Sequence, residues 1–352
     1  MTVASSPVLS AAAASLDRRT RMLRTAMGPL IATALEDPDV VEIMLNPDGK
    51  LWLDRLSSGR ASLGALSADD GERIIRLVAA HVGAEVHRGR PLLTAELPET
   101  GERFEGILPP AAPGPAFALR KRAVSIIGLD RYVADGILTT GQADFLRRAV
   151  RERQNILIAG ATSSGKTTLA NALLAEIAAT GDRVLVLEDT IELQCAARDH
   201  VPLRTRAGVV SMTELVRATM RLRPDRVIVG EVRGGEALDL VKVWGTGHPG
   251  GIATIHSGSA LGALLRLEQL ILEVAVNPPR ALIAEAVNVV IHIAGRGRKR
   301  RVESIARVVG FDGVGYRLAD ALETPFPELM PVPLAADAAA PSPSPDQSGE
   351  LP

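Results

Sequence analysis

Residues 17 to 36 set apolar positions at helical spacing among charged ones, and Asp37-Pro38 stops the pattern because the residue before a proline is pushed out of the helical region. The period then shortens. Val40 to Asn46 and Leu51 to Arg55 are apolar-rich runs on either side of Asn46-Pro47-Asp48-Gly49, a turn signal that predicts a hairpin. A helix over about Ala68 to Val82 and strands over Arg103 to Leu108 and Ala116 to Arg120 complete a first α+β unit. From Thr139 the pattern becomes short continuous apolar runs alternating with helical stretches, as in a parallel sheet whose strands are covered on both faces. The predicted strands are Asn155 to Ala159, Arg183 to Leu187, Arg226 to Val229 and Gly251 to Ile255, with later ones over Asn288 to Ile293 and Val302 to Val309. These readings divide the chain into an N-terminal α+β domain (17–120), a linker (121–136), an α/β domain (137–333) and a disordered tail (334–352) poor in bulky apolar residues.

Composition narrows the class. A chain of 352 residues favours two domains over one, and 46% hydrophobic against 23% charged residues suits a globular protein. Lys and Arg total 40 against 41 Asp and Glu, so no overall basic field exists to hold nucleic acid, and 3% aromatics leave few platforms for base stacking. Cys195 is the one cysteine, which excludes an intramolecular disulfide or a multi-cysteine zinc site and fits a cytoplasmic setting. Met1 to Leu16 lacks the basic start of a secretory signal, and no apolar run reaches the roughly 18 residues a membrane-spanning helix needs.

The chemistry enters at Gly160, Ala161, Thr162, Ser163, Ser164, Gly165, Lys166 and Thr167, which match G-x-x-x-x-G-K-[ST] between a predicted strand and a predicted helix over Leu169 to Ala179. The glycines permit a tight loop whose N–H groups converge on phosphate oxygens at a helix N-terminus. Lys166 is placed on the β- and γ-phosphates, the Thr167 hydroxyl on Mg²⁺, and Thr168 on a further phosphate oxygen. This motif specifies nucleotide without specifying the reaction.

Two apolar strands downstream run into acids. Arg183 to Leu187 ends in Glu188, Asp189 and Glu192, and Arg226 to Val229 ends in Gly230 and Glu231, with glycine where the commonest phosphate-loop enzymes carry an aspartate. In an open parallel sheet the crevice lies beyond the carboxyl ends of the strands, so these acids are read as Mg²⁺-holding and water-positioning groups facing the phosphate loop. Taken alone, each also reads as a solvated strand end. His248 and His256 flank a Gly-rich loop and a strand. They lack a third ligand for a metal, and His256, at the strand's carboxyl end, is the functional candidate of the two.

The order of these segments carries a resemblance. The phosphate loop is followed by Leu-Glu188-Asp-Thr-Ile-Glu192, then Arg226-Val-Ile-Val-Gly-Glu231-Val-Arg-Gly-Gly-Glu-Ala, then Gly-His248-Pro-Gly-Gly-Ile-Ala-Thr-Ile-His256. This resembles the secretion ATPase superfamily of type II and type IV systems over roughly residues 20 to 330. The resemblance implies an α/β fold: a RecA-like P-loop NTPase domain with a smaller N-terminal α+β, PAS-like domain. It makes Glu188 to Glu192 the "Asp box", residues 226 to 231 an atypical Walker B strand and the two histidines the "His box". It also implies N-terminal arginines lent to the nucleotide, for which Arg103 and Arg120 are the matching positions; each alone also reads as a surface cation. The implied catalytic set is Glu231, Glu188, Glu192, Arg103, Arg120 and His256. Thr167, Glu188 and Glu231 would hold Mg²⁺, partly through water, with ATP as the other cofactor.

The single cysteine argues against the zinc-bearing pilus-extension branch, and the segment Val41 to Trp52 together with the chain length resembles the conjugal transfer (TrbB-type) branch. The expectation is an ATPase working as a homo-hexamer, peripheral at the cytoplasmic face of the inner membrane beside secretion or mating-pore proteins. Tight-adherence and pilus-retraction ATPases are the near alternatives. A DNA-handling recombinase-like protein or translocase rests on Arg296 to Arg301 and on Arg217, Arg221, Arg223 and Arg226; neutral charge and scarce aromatics oppose it, and Arg296 to Arg301 is read as a solvated turn able to meet lipid or DNA. A small-molecule kinase is opposed by the large N-terminal domain.

Overall fold

The structure, a computed structural model, describes residues 7–97, 101–122, 126–206 and 208–323. Helix α1 (Pro7–Glu36) breaks at Gly28, whose φ of 73° precedes Pro29, and hands over to the hairpin of β1 (Val40–Leu45) and β2 (Lys50–Arg55). The predicted turn closes it: Gly49 N–H donates to the Asn46 carbonyl at 2.9 Å with Gly49 in the left-handed region. Strand β3 (Gly59–Ala65) follows, then α2 (Ala68–Val82), capped by the Ser67 hydroxyl and ended by Gly83. Strands β4 (Leu92–Glu96), β5 (Arg103–Ile107) and β6 (Ala116–Arg120) complete a six-stranded sheet in the order β3-β2-β1-β6-β5-β4, antiparallel throughout. Alternation along the strands buries Ile43, Leu53, Phe104 and Leu119 with Ile31 of α1 and Ile74 and Val78 of α2, and leaves the polar partners on the opposite face.

Within 121–136, expected as a linker, α3 (Leu129–Ala134) forms, and its Leu129 and Tyr132 are buried in the core of the second unit. Their apolar surface is what docks the segment there. Helix α4 (Thr140–Arg151), opened by a Thr139/Gln142 capping box, leads into β7 (Ile156–Gly160) and α5 (Lys166–Ile177). The chain continues through β8 (Val184–Glu188), β9 (His200–Arg204), α6 (Met212–Thr219), β10 (Arg226–Val229), α7 (Glu236–Gly245), β11 (Ile252–His256), α8 (Ala260–Ile271), α9 (Arg280–Ala286), β12 (Val289–Ala294), β13 (Arg301–Phe311) and β14 (Tyr316–Asp320). The second sheet runs β14-β13-β12-β7-β11-β10-β8-β9, parallel from β12 to β9, with β13 and β14 added antiparallel at one edge. Helices cover both faces, and the two apolar clusters on either side of the sheet form its core.

Arg226, among the cations that supported a nucleic-acid reading, is 1% exposed. It bonds Asp182 at 2.6 Å and the carbonyls of Val150 and Gly250, tying three segments together beneath the sheet. Arg217 pairs with Asp239 at 3.1 Å. The tail expected over 334–352 lies outside the described residues.

Candidate functional site

The phosphate loop connects the carboxyl end of β7 to the amino end of α5. Its two glycines are sterically required: a Cβ at Gly160 would lie 2.4 Å from Ser164 Oγ and 2.5 Å from the Ile293 carbonyl, and Gly165 has a φ of 99°. The Lys166 side chain, 7% exposed, folds against this loop and donates to the carbonyls of Gly160 at 3.0 Å and Ala161 at 3.1 Å. Burial lowers its pKa and Arg120 adds to that, while the Glu231 and Glu192 carboxylates act against it.

From Lys166 a continuous line of contacts crosses three strands. Its ammonium lies 3.2 Å from His256 Nδ1, His256 Nε2 lies 2.6 Å from Glu231 Oε1, and Glu231 Oε2 accepts from Arg233 Nε at 2.7 Å and from its Nη2. Burial lowers the His256 pKa below that of an ordinary histidine, with Glu231 opposing and Lys166 and Arg233 reinforcing, so the ring is neutral near pH 7. The ring thus bridges the Lys166 ammonium at Nδ1 and the Glu231 carboxyl group at Nε2. His256 is in this place because β11 pairs with β7 and puts it opposite Gly160. His248 sits before the amino end of the same strand, so the sheet separates the two histidines. Arg233 is a member that sequence reasoning passed over; its signal was a cation two residues after the acid that ends β10.

Glu188 is 6% exposed, and its Oε1 accepts from the N–H groups of Glu192 at 2.9 Å and Leu193 at 2.8 Å. Burial pushes its pKa up to about 7 against those two hydrogen bonds. Leu187 pairs with Val229, so Glu188 stands beside Gly230, and a Cβ on residue 230 would meet Glu188 Cγ at 3.0 Å. The missing aspartate at the end of β10 is thus answered by an acid at the same level of β8. Asn171 of α5 fixes the loop after Glu188, donating to the Glu192 carbonyl and accepting from the Gln194 N–H.

The six-stranded sheet presents its polar face to this site. One cross-strand row runs Arg60, Asp54, Glu42, Arg120, Arg103, Glu96, a residue from each strand in register. Arg103 and Arg120 stand directly opposite each other, an arrangement of like charges that calls for an anion between or beyond them. Arg103 lines a small cavity of about 40 Å³ with Thr167, Glu188, Glu192, Glu231 and Arg233. Arg120 lines a larger cleft of about 870 Å³ that takes in Ser163, Gly165, Thr167 and Thr168. Glu96 closes the row by accepting from Ile191 N–H at 3.3 Å and pairing with Arg204 at 2.8 Å. The structure therefore brings all the expected acids, both arginines, His256 and the loop to one place.

The stretch Arg296 to Arg301, expected as a solvated turn, is a turn between β12 and β13 with Arg296, Lys299 and Arg301 exposed, and the fold sets it beside the phosphate loop. Its Arg296, Lys299 and Arg300 line the larger cleft, with Arg296 Nη2 on the Thr162 carbonyl at 3.2 Å. The cause is topological: β12 runs parallel beside β7, so the residue after each strand arrives at the same end of the sheet.

Residues 100–303 match the profile of a family described as type II/IV secretion system protein. A conjugal transfer protein TrbB of Rhizobium radiobacter is 48% identical over 85% of this chain and 93% of its own length. The type IV secretion system protein PtlH of Bordetella pertussis is 36% identical over 77% of this chain and 91% of its own. Among solved structures, the pilus retraction motor PilT with bound ADP superposes with a TM-score of 0.56 at 20% identity, covering 82% of this chain and 80% of that one. The Legionella pneumophila ATPase DotB gives 0.56 at 18% identity over 76% and 75%. These likenesses carry the P-loop, RecA-like ATPase fold. With its phosphate loop, strand-end acids and strand-end histidine in place, the chain belongs to the type II/IV secretion ATPase family, in the TrbB-type conjugal transfer branch.

Proposed function

We propose that this type IV secretion ATPase is a Mg²⁺-dependent ATP hydrolase whose turnover opens and closes the cleft between its two sheets, driving pilus assembly or substrate translocation. The observation that carries the reading is the unbroken line from the loop carbonyls through Lys166, His256 and Glu231 to Arg233, with Glu188 buried one strand away. The loop fits a nucleotide: Gly160 and Gly165 leave no room for side chains in its turn, and Arg120, Arg296, Lys299 and Arg300 line the cleft with Gly165, Thr167 and Thr168. The residues present also fit Mg²⁺: the Thr167 hydroxyl and the Glu188 carboxylate, with Glu231 through water, would hold it, and it supplies charge neutralisation between the β- and γ-phosphates.

The chain's own groups have distinct parts. Lys166 and the loop amides bind phosphate. Glu231, gripped between His256 Nε2 and Arg233, orients the attacking water, and His256 links that carboxylate to the lysine. Glu192 lies at the mouth of both cavities, where it can order a further water. Arg103 and Arg120 meet charge developing on the γ-phosphate from the opposite wall. The N-terminal unit then acts as a PAS-like cap whose approach excludes water. A site completed by closure suits a homo-hexameric ring at the cytoplasmic face of the inner membrane, next to mating-pore proteins. No helix among the described residues is long and apolar enough to cross a membrane.

The test is ATP turnover by the purified chain with Mg²⁺ and no added acceptor. Turnover is expected, and Lys166→Ala should lower it at least ~10²-fold. A Lys166→Ala protein at the parent rate overturns the assignment, a strict acceptor requirement favours a kinase, and a particle that stays monomeric with nucleotide bound counts against the ring. The alternative outputs, tight adherence or pilus retraction, share this chemistry. The nucleic-acid alternative loses support, since Arg226 is buried and Arg296, Lys299 and Arg300 line the cleft beside the phosphate loop.

A further inference from the structure

Arg300 lies against the phosphate loop: a Cβ on Gly165 would meet its Nε at 2.8 Å and its Cζ at 3.1 Å. That Nε is withdrawn from solvent and has no hydrogen-bond partner. Among the described residues no carboxylate lies within ion-pair reach of Arg296, Lys299 or Arg300, whereas the adjacent Arg301 turns outward to Glu303 at 2.9 Å. A desolvated guanidinium nitrogen with no acceptor is costly, and a cluster of cations with no anion in reach is repulsive; one bound anion relieves both. The three cations line the larger cleft with Gly165 and Thr168, and none lines the small cavity that holds Glu231, Glu188 and Arg233.

We propose that Arg300, with Arg296 beside it, grips the diphosphate of the bound nucleotide, so that loop amides hold it from one side and guanidinium groups of the same chain from the other. This rests on the ATP reading of the site and adds cations that the phosphate-loop motif does not contain. The position on the Thr168 side of the loop, away from the water-orienting acids, makes the contact common to ADP and ATP. Arg103 and Arg120 differ, since their part depends on the γ-phosphate. Arginine suits the place because its planar fork, already beside Gly165, can turn Nε and Nη together onto phosphate oxygens.

The test is calorimetric titration of the full chain with ADP and with ATP, in Mg²⁺, for the parent, Arg300→Gln, Arg300→Lys, Arg296→Gln and Lys166→Ala proteins. Arg300→Gln should weaken both nucleotides by a similar factor of about 10- to 100-fold, as expected for losing a hydrogen bond to a charged group. Arg300→Lys should recover part of the loss, and Arg296→Gln, which gives up a more exposed contact, should cost a few-fold. Parent-like ADP affinity in Arg300→Gln, with binding lost in Lys166→Ala, overturns the proposal and leaves the ATP reading standing. Parent-like affinity in Lys166→Ala overturns the ATP reading itself. A loss confined to ATP also overturns the proposal, by moving Arg300 to the γ-phosphate. Should Arg300→Gln fail to fold, parent-like ADP affinity in both Arg300→Lys and Arg296→Gln overturns it.

Discussion

Every side chain of β7, β8 and β10 is buried, so these central strands of the eight-stranded sheet offer chemistry only where they stop: Gly160, Glu188 and Gly230-Glu231 are the residues at or just past those ends. The six-stranded sheet is buried on one face only, and β5 and β6 alternate between buried and half-buried positions, so it offers charges from its surface, one per strand, along the Arg60 to Glu96 row. The first arrangement fixes its groups by backbone pairing and is rigid. On the proposed reading, the strand ends supply binding, and the face, brought up as a unit, completes the catalytic set.

The sharpest way to break this division is to neutralise the face. Arg103→Gln and Arg120→Gln should each lower kcat about 10²-fold while ADP affinity, measured by titration, stays within a few-fold of the parent. An equal fall in ADP affinity would make the face part of the binding site and remove the distinction. The two effects should not add, because the residues are direct neighbours.

A second test concerns the strand ends. The folded Glu188 carboxyl binds its proton more tightly than in the unfolded chain, so its contribution to stability is complete below about 4.5 and is lost as pH rises to about 7. In metal- and nucleotide-free protein, Glu188→Gln lacks that loss. The stability of the variant relative to the parent should therefore grow across that interval by on the order of 2 kcal/mol, read by denaturant titration at several pH values. Parallel pH curves would show that the carboxyl is solvated, and with it that this strand end is not closed.

The smallest effect is expected where the two sheets touch. Glu96→Gln removes a partly exposed ion pair with Arg204 and weakens the bond to Ile191 N–H, and should cost about 1 kcal/mol or less, a shift of a few degrees in Tm. A fall in turnover as large as that of Arg103→Gln would mean that Glu96 sets the register of the charged row against the acids, and would blur the line between face and contact.

The parallel strands could be placed from sequence because a strand covered on both faces must be a continuous apolar run, as Ile156 to Ala159 and Val184 to Leu187 are. The phosphate loop was equally plain. What escaped were edge strands: β3 and β4 bury at most one side chain each, β9 carries Pro202, and β14 pairs only with β13, so none needs a strong pattern. The site was readable where a motif runs along the chain and unreadable where strand order creates it. Arg296 to Arg301 reads as a turn between strands and is one, but nothing near those residues announces that it comes to lie beside the phosphate loop, because β12 runs next to β7, more than a hundred residues earlier. Arg233 was passed over for a similar reason, since its meaning comes from the carboxylate it grips.

Gly230 has a practical consequence. A search pattern that demands an acid at position 230 passes over this chain, and placing an acid there by design would set a second carboxylate against Glu188, whose Cγ is 3.0 Å from the new Cβ. Any side chain on residue 230 would crowd Glu188 Cγ at 3.0 Å and its Oε1 at 3.4 Å, so Glu188 would have to shift before its neighbour could be anything but glycine.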